Sequence, residues 1–462
     1  MLLLGEVFGY GKEFGVYFEG NRIREVGPAG DLLARYPTAR RLRVERITPG
    51  IADAHAHPLF YGAEKKRLSL AGLTDPREVA ARVAAYPEPR WVLGGGFLFD
   101  RRPERALLDA AGRGRPVYLK SRDLHAAWAN EAALKAAGLS PDDPWVDWEA
   151  GWVVERALAR LEAVTPRPGS EDLWRGLRAF ARRGYTSVHA LAYEPPEALS
   201  WVEARAEELP VRLWWALPRG SWRGVRPGWR GERLYVGGVK FFADGALGPA
   251  TAWMHAPYQG GGSGMPVDPL EEIEAEGREA LAAGFTLAVH AIGTRAVAEV
   301  LRLFQRLPRL PGRPLRIEHL QHLRDEDTLL LSQDGVVASM QPVHLAEDAE
   351  LVRRRLPGRE HETFRFATVA RYLPLAFGSD APVAEPDLVA SLREATRHRL
   401  SPEESLGLEA ALLAHTRGAA LAAGWEGYGR IAPGAWADLG LFEDGRLVAR
   451  VFDGVLEDVE AG

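Results

Sequence analysis

Phe285-Thr-Leu-Ala-Val-His290 is a short apolar segment that ends in a polar residue, and a stretch with helical spacing, residues 269–283, precedes it. The same order recurs where the helical stretch 172–180 precedes Thr186-Ser-Val-His189. Short apolar segments of this kind are typical of buried strands, and their alternation with helices favours a parallel sheet. The number of repeats predicts an α/β fold of the closed (β/α)8 TIM barrel type.

The chain divides into a predicted barrel and a smaller domain built from its two ends. The eight predicted barrel strands are residues 51–57, 186–189, 211–216, 236–242, 285–290, 315–319, 335–340 and 375–380. We expect the barrel to span residues 51–427, with a long insertion after the first strand over about residues 60–180. Residues 1–50 and 428–462 carry short alternating segments and Gly-rich turns, and they are predicted to pair into a small β-sandwich because domain termini often lie close together.

Composition narrows the classes of partner. The formal net charge is -5 and the sequence pI is near 6.2, so neither nucleic acid nor an anionic membrane is an expected partner. No stretch reaches the ~20 apolar residues of a spanning helix, and the N-terminus does not resemble a signal peptide, so we expect a cytoplasmic protein. The chain has no cysteine, so a metal would have to be bound by nitrogen and oxygen ligands.

Histidines recur at the ends of the predicted strands. His55 and His57 are two residues apart at the end of the first strand, so both imidazoles face the same side and can reach one ion. A single pair of this kind is more often two surface histidines than a metal site. Here His290, His319 and Asp380 also end strands, at the edge where barrel active sites lie. The repetition favours a metal site over coincidence.

Lys240 lies inside the apolar run Val236-Gly-Gly-Val-Lys-Phe-Phe242, where a charged amine is costly. A neutral amine reacts with carbon dioxide, and the resulting carbamate is an anionic oxygen ligand able to bridge two metals. Asp244 follows on the same strand-to-loop segment and is a candidate for orienting ligands or substrate. His189 ends the predicted second strand and is a candidate pocket residue.

The order of these residues resembles the amidohydrolase superfamily, and their sequence context resembles its YtcJ-like branch (amidohydrolase family 3). The resemblance covers essentially the whole chain. It is carried by Asp53-Ala-His-Ala-His-Pro58, Val239-Lys-Phe-Phe-Ala-Asp-Gly-Ala-Leu-Gly248, Ile317-Glu-His-Leu-Gln321, Gly378-Ser-Asp-Ala-Pro382 and Gly429-Arg-Ile-Ala-Pro-Gly-Ala-Trp-Ala-Asp-Leu439.

The resemblance implies one or two divalent ions, with zinc as the expected metal. His55, His57 and Asp380 would bind the more buried ion, His290 and His319 the second, and a carboxylated Lys240 would bridge them. The residues that the resemblance places in catalysis are Asp380, as general base for the attacking water, together with Lys240 and His319.

Further candidates come from the insertion. Glu155 resembles a glutamate of this branch that reaches the site and would supplement or replace the lysine bridge, although a surface carboxylate is an equal alternative. Arg122, Asp123 and His125 resemble a substrate-facing segment, with helix capping as the alternative for Asp123.

The expected function is hydrolysis of a carbon–nitrogen bond other than a peptide bond, in a linear amide or N-acyl group of a small molecule. Two alternatives stay open: a mononuclear deaminase on the same scaffold, favoured if Lys240 remains an amine, and a non-catalytic scaffold protein. The complete set of polar residues argues against the scaffold, because buried polar groups are costly to retain without a purpose. The superfamily resemblance also implies a homodimer. The substrate does not follow from the sequence, because fold does not specify it.

Overall fold

The computed structural model of the protein describes residues 1–88, 90–97, 99, 101–121, 126–154 and 156–460. The strands are β1 (Leu2–Val7), β2 (Gly11–Glu19), β3 (Arg22–Pro28), β4 (Arg41–Pro49), β5 (Ile51–Ala56), β6 (Leu68–Ser69), β7 (Val92–Phe97), β8 (Val117–Ser121), β9 (Ala126–Ala129), β10 (Val146–Asp147), β11 (Trp152–Val154), β12 (Tyr185–Leu191), β13 (Arg212–Pro218), β14 (Gly228–Arg230), β15 (Leu234–Phe242), β16 (Thr286–Ala291), β17 (Leu315–His319), β18 (Val336–Met340), β19 (Leu375–Phe377), β20 (Leu439–Glu443), β21 (Arg446–Phe452) and β22 (Val455–Asp458).

The helices are α1 (Ala29–Arg35), α2 (Pro58–Lys65), α3 (Pro76–Ala85), α4 (Arg105–Gly112), α5 (Glu131–Ala136), α6 (Arg156–Val164), α7 (Ser170–Arg182), α8 (Ala198–Glu203), α9 (Leu270–Ala282), α10 (Thr294–Arg306), α11 (Leu345–Arg355), α12 (Phe366–Ala370), α13 (Leu388–Thr396), α14 (Leu408–Leu413) and α15 (Ala419–Ala423). None of the helices in the described part of the chain is long and apolar enough to cross a membrane.

Eight parallel strands form a nearly closed barrel, which confirms the predicted fold class. Their order is β5-β12-β13-β15-β16-β17-β18-β19, and each contains or overlaps one of the eight strands predicted from the sequence. Helices such as α10 pack on the outside because their apolar residues recur at helical spacing. In α10 the buried residues include Val297, Val300, Leu301 and Phe304. The parallel sheet is therefore covered by helices, as its continuous apolar strands require.

The ring closes at a seam between β5 and β19, where no strand ladder joins the two in the described residues. Two backbone bonds cross the seam just beyond the strands: the N–H of Asp380 donates to His55 O at 2.7 Å, and the N–H of His57 donates to Ala381 O at 2.8 Å. Gly378 is required at this close approach, because a Cβ on it would lie 2.4 Å from the backbone nitrogen of His55. The seam therefore holds the end of β5 and the residues that follow β19 in a fixed position relative to each other.

The terminal segments join in one hydrogen-bonded sheet of seven strands, in the order β22-β21-β20-β4-β1-β2-β3. The antiparallel pair β4 and β20 links the beginning of the chain to its end. The N–H of Gly50, between β4 and β5, donates to Asp438 O at 2.8 Å. A buried arginine, Arg212 of barrel strand β13, also binds Asp438 through Nε at 2.5 Å. This terminal sheet is thus tied to the barrel by charged as well as backbone contacts.

Residues Gly62–Asp172 form a compact unit of their own, which lies in the sequence between β5 and β12. Its sheet has six strands in the order β10-β11-β9-β8-β7-β6. Buried residues such as Val79, Leu108, Leu119 and Trp128 form an apolar cluster within this unit.

Candidate functional site

Two polar side chains, His55 and His57, leave the barrel at the end of β5, and both are buried. On the other side of the seam, Asp380 follows β19, and His57 Nε2 lies 2.9 Å from its Oδ1. His55 Nε2 is 3.5 Å from the same oxygen. One ligand atom from each of the three residues lies within 4.8 Å of the others, a spacing that suits a single metal ion.

Backbone strain accompanies two of these strand ends. His319 and Asp380 have left-handed backbone conformations, with φ of 72° and 60°. A non-glycine residue there costs of order 1–3 kcal/mol, and such residues concentrate at functional sites because the surrounding structure has to hold them in place. In both cases the strained residue is the one whose side chain leaves the strand for the cavity.

His290 and His319 complete a cluster of four imidazoles. The ring centroids of His290 and His319 are 4.4 Å apart, and His319 lies 4.7 Å from His55. His290 Nε2 is 2.9 Å from the carbonyl oxygen of Gly245, and His319 Nδ1 is 2.8 Å from Oε1 of Gln341. Each of these rings therefore has one nitrogen facing a hydrogen-bond acceptor and the other available as a ligand.

The residues present fit a divalent ion. Burial lowers the pKa of His55 to about 4 and that of His290 to about 3, and the nearby charge of Lys240 acts in the same direction. The imidazoles of His55 and His290 are therefore neutral near pH 7, which is the form that binds metals. His57 Nδ1 is buried without a hydrogen-bond partner in the described part of the chain. Three nitrogen and oxygen donors around one point form a ligand set suited to zinc or a similar ion.

Burial alone would raise the pKa of Asp380, but the interaction with His55 and the hydrogen bond to His57 hold it well below its usual range. Lys240, on β15, is only 1% exposed, and burial lowers its pKa to about 8. The carboxylate is thus kept as an anion, and the amine is closer to its neutral form than an exposed lysine would be.

A cavity of about 340 Å³ opens over this cluster. Its walls combine apolar side chains with a few polar groups, as small-molecule sites commonly do. The lining comprises His55, His57, Tyr193, Lys240, Ala246, Leu247, Gly248, His290, Ile292, His319, Gln321, His344, Glu347, Asp348, Asp380 and Val383. Six of the residues predicted from the sequence are therefore brought together around one cavity: His55, His57, Lys240, His290, His319 and Asp380.

Two other predicted residues lie outside the lining. Asp244 is buried and accepts hydrogen bonds from the backbone N–H groups of Ile292, Gly293 and Trp253, so it joins loops together. His189 does not end its strand, because β12 continues to Leu191. The predicted residues Arg122, Asp123, His125 and Glu155 lie outside the described residues.

Two charged residues beneath the cavity were missed by the sequence analysis. Glu318 and Arg316 are buried on β17, and Glu318 Oε2 is 2.7 Å from His55 Nδ1. Burial alone would raise the pKa of Glu318, but Arg316 and the bond to His55 hold it well below its usual range. The signal was present in Leu315-Arg-Ile-Glu-His319, where two charges sit in an apolar strand with both side chains on one face.

A nearly closed eight-stranded barrel with a cluster at its strand ends that could hold a metal ion is the architecture of a metal-dependent hydrolase. Residues 45–453 match the model of the amidohydrolase family, and this chain belongs to that family. A short stretch, residues 15–39, also matches a bacterial imidazolonepropionase-like composite domain.

Individual relatives agree with this assignment. The putative amidohydrolase YtcJ of Bacillus subtilis is 29% identical over 441 residues, which cover 84% of this chain and 81% of that protein, so the predicted YtcJ-like relationship is confirmed. The crystal structure of an uncharacterized metal-dependent hydrolase from Pyrococcus furiosus superposes with a TM-score of 0.84 at 26% identity, covering 96% of this chain and 99% of that one. An N-substituted formamide deformylase from Arthrobacter pascens is 31% identical over 160 residues, which cover 31% of this chain and 29% of that protein.

Proposed function

We propose that this chain hydrolyses the carbon–nitrogen bond of an N-acyl or N-formyl group in a small molecule. The observation that carries the proposal is the convergence of four imidazoles, a carboxylate and a buried lysine on one cavity of about 340 Å³. The formamide deformylase among the relatives, whose name describes cleavage of such a bond, supports the choice of bond.

The proposed metal ligands are divided between two ions. His55, His57 and Asp380 would hold one ion, and His290 and His319 would hold a second, with zinc as the proposed metal. A bound divalent ion supplies Lewis acidity, which lowers the pKa of water and polarises a carbonyl group.

Asp380 is proposed as the group that moves the proton. Its carboxylate accepts a proton from the attacking water as the new carbon–oxygen bond forms. The same carboxyl group then returns the proton to the leaving nitrogen as the carbon–nitrogen bond breaks, so the products are a carboxylic acid and an amine. A group acting in both steps must border the space where the substrate lies, and Asp380 lines the cavity.

Lys240 is proposed to take up carbon dioxide on its neutral Nζ, with loss of a proton, and the resulting carbamate would supply anionic oxygen ligands to the two ions. The support is its burial among apolar neighbours on β15, where an ammonium ion is disfavoured. In Lys240→Ala we expect the second ion to be lost and millimolar acetate to restore it, because acetate supplies the missing carboxylate. Lys135, exposed on α5, offers a control in which alanine leaves metal content unchanged.

Metal content per chain is the first test, measured by elemental analysis on wild type, His55→Ala and the exposed control His361→Ala. We expect two ions in wild type and in the control, and loss of metal in His55→Ala. One ion in wild type would favour the mononuclear deaminase. No ion after reconstitution with metal and bicarbonate would favour a scaffold protein.

The reaction itself is tested with a panel of N-formyl and N-acetyl amines and of aminated heterocycles. An amidohydrolase of the proposed kind releases formate or acetate together with an amine, whereas a deaminase releases ammonia and leaves the ring intact. Ammonia release from the heterocycles without formate release from the formamides would overturn the proposal.

A further inference from the structure

We infer that Glu318 is a positioning residue that fixes the tautomer and orientation of His55, so that Nε2 and not Nδ1 is presented to the cavity. The inference deepens the proposed function, because it rests on the metal-binding role proposed for His55. It concerns a residue that neither lines the cavity nor touches the site of reaction.

The contact between the two side chains determines where the imidazole carries its proton. His55 Nδ1 lies 2.7 Å from Glu318 Oε2, and both side chains are shielded from solvent. A carboxylate can only accept a hydrogen bond, so Nδ1 must carry the hydrogen. A neutral imidazole has one N–H, which leaves Nε2 with a free lone pair.

The free nitrogen points to the position that an ion would occupy. His55 Nε2 is 3.5 Å from Asp380 Oδ1, and the two electron-rich atoms face each other across that gap. A cation between them converts an unfavourable contact into two ligand bonds. The opposite tautomer would place a hydrogen on Nε2 and remove that ligand.

Glu318 is itself held rigidly, which a positioning role requires. Arg316 lies two residues earlier on β17, so both side chains point to the same face. Arg316 Nε donates to Glu318 Oε1 at 2.8 Å, and Arg316 Nη2 donates to the carbonyl oxygen of Ala54 at 2.7 Å. The guanidinium carbon also lies 4.5 Å from the centroid of the Trp214 ring. Since Ala54 immediately precedes His55, the same arginine ties the carboxylate to the backbone beside its partner.

A merely structural role for the ion pair is the competing explanation, and the chain contains a matched control. Arg212 and Asp438 form another buried arginine–carboxylate pair, between the barrel and the terminal sheet, and neither residue lines the cavity. Glu318→Gln and Asp438→Asn therefore make the same chemical change, carboxylate to amide beside a buried arginine. Only the first change replaces a carboxylate that faces a proposed metal ligand, and the amide can donate to Nδ1 of His55 where the carboxylate could only accept.

The experiment combines metal affinity with the tautomeric state of His55. In wild type stripped of metal, nitrogen NMR is expected to show the Nδ1–H tautomer of His55, assigned by its loss in His55→Gln. In Glu318→Gln we expect metal affinity, measured by competition with a chromophoric chelator, to fall 10- to 100-fold. The absorption spectrum of the cobalt-loaded protein should shift as well. Asp438→Asn should keep wild-type affinity within about twofold, because the two sites share no partner.

An Nε2–H tautomer in the wild-type protein would overturn the inference, even if Glu318→Gln failed to fold. So would unchanged metal affinity in folded Glu318→Gln, or an equal loss of affinity in Asp438→Asn. These readouts need no substrate. Failure to cleave any N-acyl compound would therefore overturn the proposed function while leaving the inference about Glu318 standing.

Discussion

Replacing Asp438 by asparagine should weaken the junction between the barrel and the terminal sheet. Arg212 is fully buried and donates to Asp438 from Nε at 2.5 Å and from NH2 at 3.2 Å. It also donates from NH2 to Asp453 Oδ1 at 2.9 Å, and Asp453 is the more exposed of the two carboxylates. In Asp438→Asn the guanidinium of Arg212 therefore keeps the charged partner Asp453 and loses Asp438, the more buried of the two.

The expected loss of stability follows from these contacts. Breaking a buried ion pair by neutralising one partner costs about 3–5 kcal/mol, because a charge remains without compensation. Asp453 retains part of that compensation, so we expect a value near the lower end, about 3 kcal/mol. The compact unit that contains the pair has about 350 residues, and at ~2.1 cal/mol/K per residue its unfolding entropy is ~0.7 kcal/mol/K. The melting temperature should therefore fall by about 4 °C.

Scanning calorimetry at fixed metal concentration measures this change, and Asp453→Asn is the matched control. Because Asp453 is partly exposed and Asp438 would remain, the control should lose less, about 1–2 kcal/mol or roughly 2 °C. The reasoning is refuted if Asp438→Asn melts within about 1 °C of wild type, or if the control is the less stable of the two variants.

Three further outcomes follow from the structure. Gly378→Ala should reduce metal affinity at least tenfold in a competition titration, since the added Cβ would lie 2.4 Å from the nitrogen of His55 and push the seam open; wild-type affinity would contradict this account of the seam. Burial alone would raise the pKa of Glu394, but the bonds from Arg399 and Arg393 outweigh it and hold the pKa below its usual value. The stabilisation is therefore present above the unfolded pKa and lost as the pH falls through the folded pKa. Glu394→Gln should accordingly be less stable than wild type in urea at about pH 7, and the difference should narrow as the pH falls through the folded pKa of Glu394. A difference that stays constant as the pH falls would refute the assignment. An ion present at about 100 times its Kd should stabilise the native protein by about 2.7 kcal/mol. Removing the metal with a chelator should therefore lower the melting temperature by about 4 °C. Identical melting curves would argue against a site in the native state.

The barrel was predictable because its signal is local. Each parallel strand is buried on both faces, so a run of apolar residues marks it without knowledge of its neighbours. Strand ends were less certain. The second strand was expected to end at His189 but continues to Leu191, so His189 lies within the strand and its Nδ1 is 3.0 Å from NH1 of Arg316. The strand continues through Ala190 and Leu191, which are apolar. An apolar run in the sequence shows that a strand is present but does not show at which residue it ends.

The site was predictable only where its residues sit at strand ends. The partnership of His55 with Glu318 joins positions 263 residues apart, and nothing in the sequence near either residue indicates it. Asp244 is a similar case, because it accepts from the backbone N–H of Ile292, 48 residues further along the chain, and its Oδ1 lies 3.6 Å from His290 Nε2. Pairings of this kind arise from packing in three dimensions, so a pattern within one segment cannot specify them.

The seam also has a consequence for how the chain is made. His57 and Asp380 are separated by about 320 residues, and the terminal sheet joins β4 to β20, near the end of the chain. A ribosome adds residues at roughly 5–20 per second, so the two halves of the site become available many seconds apart. During that interval β4 lacks its partner β20, and β5 lacks the residues that follow β19 across the seam. Contacts this distant in sequence form late, so the nascent chain cannot assemble the three-residue site until Asp380 has emerged.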